Sequence, residues 1–95
     1  MVVTETIEGV VDGSRWFHYD VANDVLYMRL DSHRQIECVG EETTDGFILL
    51  RDQTTDQAVG MTIVNWWKRF GEGQLPDSMA ELLRRIEPWA RRVAA

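Results

Sequence analysis

Arg15-Trp16-Phe17-His18-Tyr19-Asp20-Val21-Ala22-Asn23-Asp24-Val25-Leu26-Tyr27-Met28-Arg29-Leu30 reads as two strands and the turn between them. Residues 15–20 are rich in aromatic side chains, which suit a pleated surface. Asn23 and Asp24 reverse the chain, because their short side chains bond nearby backbone and tolerate left-handed φ/ψ. Over residues 25–30, Leu26, Met28 and Leu30 fall on one face and Val25, Tyr27 and Arg29 on the other. That period of two predicts a sheet with one buried face. Tyr27 and Arg29 are then candidates for an exposed sheet face, either for recognition or as a cross-strand pair.

Working outward, further strands separated by short polar turns follow. Asp31 to Arg34 is a turn, and residues 36–44 form a strand whose wet side carries Glu37, Glu41 and Glu42, with Gly40 marking a bulge. Asp45-Gly46 is a hairpin signal, followed by the apolar residues 47–50. Asp52 to Asp56 turns again, and residues 58–64 place Val59, Met61 and Ile63 on one side. Short turns rule out crossover helices, so these strands form an antiparallel β-meander of about five strands, residues 15–65. Residues 1–14 are a leader or marginal extra strand closed by Asp12-Gly13-Ser14.

Residues 66–95 form a Trp-rich helical tail of the same domain. Trp66 to Phe70 gives a helical turn or two, stopped by Gly71. Ser78 and Glu81 have the spacing of a capping box. Met79, Leu82, Leu83, Ile86, Trp89 and Val93 form an apolar stripe at helical spacing. Pro88 inside that stripe lacks an N–H and crowds the carbonyl of Arg84, so a kink or break is expected. The fold class is α+β: a β-meander followed by an amphipathic, Pro-kinked helical segment.

The Tyr19-Asp20, Asp24 and Leu26-Tyr27-Met28-Arg29-Leu30 pattern resembles the signature Y-D-x-x-x-D-x-L-Y-x-R-L of a prokaryotic domain-of-unknown-function family, number twenty-two eighty-three. Asp45-Gly46 with Phe47 to Leu50, and Val59 to Ile63, resemble that family's later segment; together the resemblance spans residues 15–65. Val21-Ala22 replaces the family's usual Pro-Glu, and Thr62 stands where an acidic residue is common. The resemblance implies the fold and a bacterial origin. It implies little activity beyond an antitoxin-like binding role, since some members stand beside small toxin-like proteins.

The 95 residues carry a net charge of −6, which opposes nucleic-acid binding. Charge is uneven: residues 1–65 hold 4 basic and 12 acidic side chains, whereas residues 66–95 hold 6 and 4. The single cysteine, Cys38, excludes an intramolecular disulfide and fits a reducing, cytoplasmic setting. No stretch has the length and apolarity of a membrane span or signal peptide.

Catalytic and cofactor-binding residues are not expected, nor is a cofactor. No Gly-rich phosphate loop or G-x-S-x-G is present, and neither histidine has a defensible serine or cysteine partner. Cys38 lies among Glu37, Glu41 and Glu42, which oppose thiolate formation. His18, Asp20 and Asp24, with His33 nearby, are the metal candidates, although no recurring zinc spacing is present. The bland reading has Asp20 and Asp24 building the turn. Trp66, Trp67, Phe70, Leu82, Ile86 and Trp89 are interface candidates, on the expectation that 95 residues cannot bury them all and that a homodimer forms through the tail. The expected function is therefore a non-enzymatic protein-interaction module with a homodimeric or basic protein partner. The alternatives are a small-ligand or metal-binding domain, and nucleic-acid binding through Trp67, Lys68, Arg69 and the tail arginines.

Overall fold

The computed structural model describes residues 6–33, 35–44 and 46–93. Six strands form one antiparallel sheet: β1 (Thr6–Val11), β2 (Arg15–Asp20), β3 (Val25–Leu30), β4 (Cys38–Glu42), β5 (Phe47–Asp52) and β6 (Ala58–Val64). Their order, β1-β2-β3-β6-β5-β4, places two three-stranded meanders side by side with β3 paired to β6. The strand count is thus six rather than about five. The additional strand is β1, paired along its whole length with β2 from Thr6↔Asp20 to Val11↔Arg15. Backbone pairing with a neighbouring strand outweighs the weak alternation of its sequence. Residues 1–5 of the expected leader lie outside the described residues, as does Asp45 of the hairpin signal.

The register of β4 against β5 is unbroken through Gly40↔Leu50, so no bulge forms at Gly40. The irregularity lies between Leu50 and Arg51 in the β5–β6 pairing, where Leu50 faces Gly60 and Arg51 faces Ala58. Val59 is therefore the extra residue, as in a β-bulge.

Two helices follow, α1 (Trp66–Phe70) and α2 (Met79–Ala90). A five-residue helix cannot sustain itself, and α1 takes its cap from a distant turn. The Asp24 carboxylate accepts from the backbone N–H of Trp67 (2.8 Å) and of Lys68 (3.0 Å), and the Asp24 carbonyl accepts from Trp66 N–H (3.1 Å). Gly71 ends α1 because no Cβ fits there: one would lie 2.1 Å from the Trp67 ring. In α2, Ser78 Oγ accepts from Glu81 N–H, while the Glu81 carboxylate turns to Arg84. Pro88 does not break α2; the helix continues two residues past it, to Ala90. Near a helix end the missing N–H costs a single bond, so this proline is tolerated.

One sheet face holds the core. Phe17, Tyr19, Leu26, Met28, Phe47, Met61 and Ile63 pack against Trp66, Leu82, Ile86, Ala90 and Val93. Leu26 and Met28 are fully buried, and Leu30 packs half-buried at the margin. The tail therefore closes the core of its own chain. Trp66, Leu82 and Ile86 are 1%, 3% and 0% exposed, which removes them as interface residues: their apolar area is already spent within the chain. Trp67 and Trp89 are half-buried against the same core, and Phe70 alone of the six is exposed.

Candidate functional site

With both helices on one side, the other face of the sheet is left without a helical layer. The strand register arranges this open face in rows. One row runs Val10, Trp16, Arg29, Gly60, Leu50, Gly40, and the next runs Glu8, His18, Tyr27, Thr62, Ile48, Glu42. A third, shorter row holds Thr6, Asp20, Val25 and Val64. Trp16, His18, Asp20, Tyr27, Arg29, Leu50 and Thr62 line a groove of about 530 Å³ on this face.

Gly60 lies between Arg29 and Leu50 in the first row. A Cβ there would come within 2.6 Å of the Met28 carbonyl and 3.0 Å of both Arg29 Cγ and Leu50 Cδ1. The neighbouring side chains of Arg29 and Leu50 close over the glycine, and both line the groove. Aromatic rings form its wall: Trp16 and His18 have centroids 5.9 Å apart, and His18 meets Tyr27 edge-on at 5.7 Å. Such tilted pairs favour ring quadrupoles and hold the side chains in place. Arg29 reaches across to donate to the Ile36 carbonyl at 3.1 Å. Tyr27 is 38% exposed, and Val10 and Val64 are exposed on the same face.

The charged members of the face are mostly acidic and lie around this apolar centre. His18 Nδ1 is 2.9 Å from Glu8 Oε1. Asp20 accepts from the side chain and the backbone N–H of Asn23, and the side-chain bond above all holds its carboxyl below the usual range.

The metal candidates do not converge. His18 and Asp20 face the groove, whereas the Asp24 carboxylate lies on the helix side, bonded to Tyr19 Oη–H at 2.6 Å and to two backbone N–H groups of α1. Its oxygens are saturated by protein donors. Among the described residues no three His, Cys, Asp or Glu side chains gather to hold a metal. The His33 side chain lies outside the described residues. Cys38 sits half-buried on β4, with three strands between it and His18 on β2, and its Sγ–H is directed at the Ile36 carbonyl. That separation denies it His18 as the base a thiol nucleophile needs.

The sequence reading placed Tyr27 and Arg29 on this face. It did not identify Trp16 and Leu50 as part of the same groove. Trp16 alternates with the buried Phe17, which was a readable signal. Leu50 and Gly60 meet Arg29 only through the β3–β6 and β6–β5 pairings, which no local pattern reveals.

No family model, no curated protein and no solved structure matches this chain.

Proposed function

We propose that this protein is a non-enzymatic protein-interaction module whose contact surface is the open sheet face. The observation that carries this reading is the set of apolar side chains spread over the three rows of the face without a helical layer, Val10, Trp16, Tyr27, Ile48, Leu50 and Val64, with Glu8, Asp20 and Glu42 on the same face. Contiguous apolar area with a charged rim is the anatomy of a protein contact surface. The acidic rim, and the 12 acidic against 4 basic side chains of residues 1–65, favour a basic protein partner. An antitoxin-like role, which the family resemblance implies, has this chemistry. A reducing cytoplasm suits a chain whose one thiol is only half-buried.

The test is co-purification of native partners with wild type and with a Tyr27→Asp/Leu50→Asp double variant. A basic protein retained by the first and lost by the second supports the reading. Equal retention by both, or by neither, overturns it.

A homodimer is the second reading, and it moves from the tail to this face, because the tail aromatics serve the core of their own chain. Light scattering on a sizing column distinguishes it: a mass of twice 11.0 kDa that falls to the single-chain mass in Tyr27→Asp is the expected result.

A further inference from the structure

β4 lies at one end of the sheet, so only one of its two edges is paired, with β5. We propose that its outer edge accepts an extended segment of a partner protein as a further strand, and that this segment is basic at its ends and apolar at its centre. The edge is a second surface, separate from the open face, and its occupancy does not depend on the role of that face.

The phase of the ladder fixes which backbone groups of β4 face outward. Where the β4–β5 hairpin closes, the Thr43 N–H donates to the Phe47 carbonyl at 2.8 Å. Hydrogen-bonded pairs recur at every second residue of an antiparallel ladder, and the register runs unbroken from Glu42↔Ile48 to Cys38↔Asp52. Val39 and Glu41 therefore bond to β5, while the N–H and C=O groups of Cys38, Gly40 and Glu42 point away from it. β5 has the matching phase: Asp52, opposite Cys38, sends its N–H the other way, to the Gln57 carbonyl at 2.9 Å. The outward groups form a row of alternating donors and acceptors with the spacing an incoming strand needs. Side chains do not screen it: Gly40, Glu41 and Glu42 are exposed, and Val39 is 52% exposed. The opposite edge is less open, since α2 packs against β1 and Val11 is buried there.

Charge selects the occupant. Residues 36–44 hold Glu37, Glu41 and Glu42 and no lysine or arginine. Arg51 answers Glu41 at 3.1 Å, whereas Glu37 and Glu42 have no cation within ion-pair distance among the described residues. A second copy of this chain fits poorly, because pairing β4 with itself would crowd three glutamates from each copy along one seam. Lysine or arginine toward the ends of the added strand is the complement. At the centre Gly40 presents no side chain. Ile48 Cγ2 and Leu50 Cδ2 reach to 3.2 and 3.9 Å from where its Cβ would stand. A large apolar residue opposite Gly40 would cover these two groups, and an apolar neighbour opposite Val39 would cover the exposed valine on the other face. Backbone bonds then supply affinity, and these side chains supply selection.

The experiment is an NMR titration of the full chain with a capped peptide, Lys-Lys-Thr-Leu-Val-Lys-Lys. Saturable shifts are expected at the amides of Cys38, Gly40 and Glu42. Hydrogen exchange at these three should slow by at least about tenfold on binding, while Val39 and Glu41, already bonded to β5, change less. Glutamate in place of the peptide lysines, or Glu42→Lys in the protein, should weaken binding at least about tenfold. N-methylation of alternate peptide residues, in one phase or the other, separates strand addition from charge attraction. One phase should abolish binding and the other should not, because only every second N–H faces β4. Tyr27→Asp, with β6 and β5 between it and β4, should bind the peptide as wild type does, whatever becomes of association through the open face. No saturable shift up to about 10 mM, the range of the feeblest specific ligands, overturns the proposal. So does an equal effect of both methylation phases, or a glutamate peptide that binds as tightly as the lysine one. Protection of the Gly40 amide that grows with protein concentration in the absence of peptide makes a second copy the occupant, and overturns it too.

Discussion

At Asp24 one carboxylate meets three donors: the Tyr19 hydroxyl and the backbone N–H groups of Trp67 and Lys68. Its own backbone is left-handed, φ 55°, a conformation Asp and Asn tolerate and Ala does not. Asp24→Ala removes the cap and adds strain, so unfolding in urea should show a loss of about 3 kcal/mol. Asp24→Asn keeps the backbone preference and one carbonyl acceptor, and should lose about 1 kcal/mol. Tyr19 adds a pH dependence. Burial, then the hydrogen bond and the charge of Asp24, hold its phenol well above the ordinary value of 10.0. Above pH 10.0 the unfolded chain therefore releases a proton that the folded chain keeps. The unfolded state binds fewer protons there, so stability is intact below that pH and falls as pH rises through it. Unfolding free energies measured from about pH 8 to pH 11 should decline at the alkaline end, and Tyr19→Phe should flatten the decline.

β6 and α2 show how different constraints shape an element. β6 lies between β3 and β5 and must be thin at Gly60, where the Met28 carbonyl leaves no room for a Cβ. Gly60→Ala should destabilise by about 1–3 kcal/mol through overpacking, and thermal unfolding reads the change directly. A variant as stable as wild type would mean that β6 shifts freely against β3. α2 is the opposite case, an element defined by one apolar edge. Leu82, Ile86 and Ala90 are buried while Met79 is 48% exposed, so the contact with the sheet begins one turn in from the helix start. Ile86→Ala should cost about 2–5 kcal/mol. A loss that small substitutions at exposed Arg84 also produce would show that α2 is not seated on the core.

For the whole molecule, the asymmetry of the sheet matters most. One face is filled by α1 and α2, and the other offers Trp16, Tyr27 and Leu50 around one groove. A residue 38% exposed contributes little to the core, so Tyr27→Asp should change unfolding stability by less than about 1 kcal/mol. Its effect should instead appear in association, by light scattering and partner retention. A large loss of stability with no change in association would make the open face a structural layer and not a contact surface.

Sequence alone determined the elements whose signals are local. The alternation over residues 25–30 separated Leu26 and Met28 from Tyr27 and Arg29, because a strand's side chains alternate by geometry. Ser78 marked the start of α2, because its Oγ serves a backbone N–H within the same turn. Tertiary structure decided the rest. β1 became a strand by pairing with β2, and the groove arose because register set Arg29, Gly60 and Leu50 in one row. Asp24, read from the sequence as a turn residue or metal candidate, became the cap of a helix more than forty positions away. The tail tryptophans, expected at a partner, turned inward because the helices could cover the apolar face of their own sheet. Local geometry repeats every two or 3.6 residues and is written in the chain. Which strand neighbours which, and which face is covered, depends on contacts between distant residues.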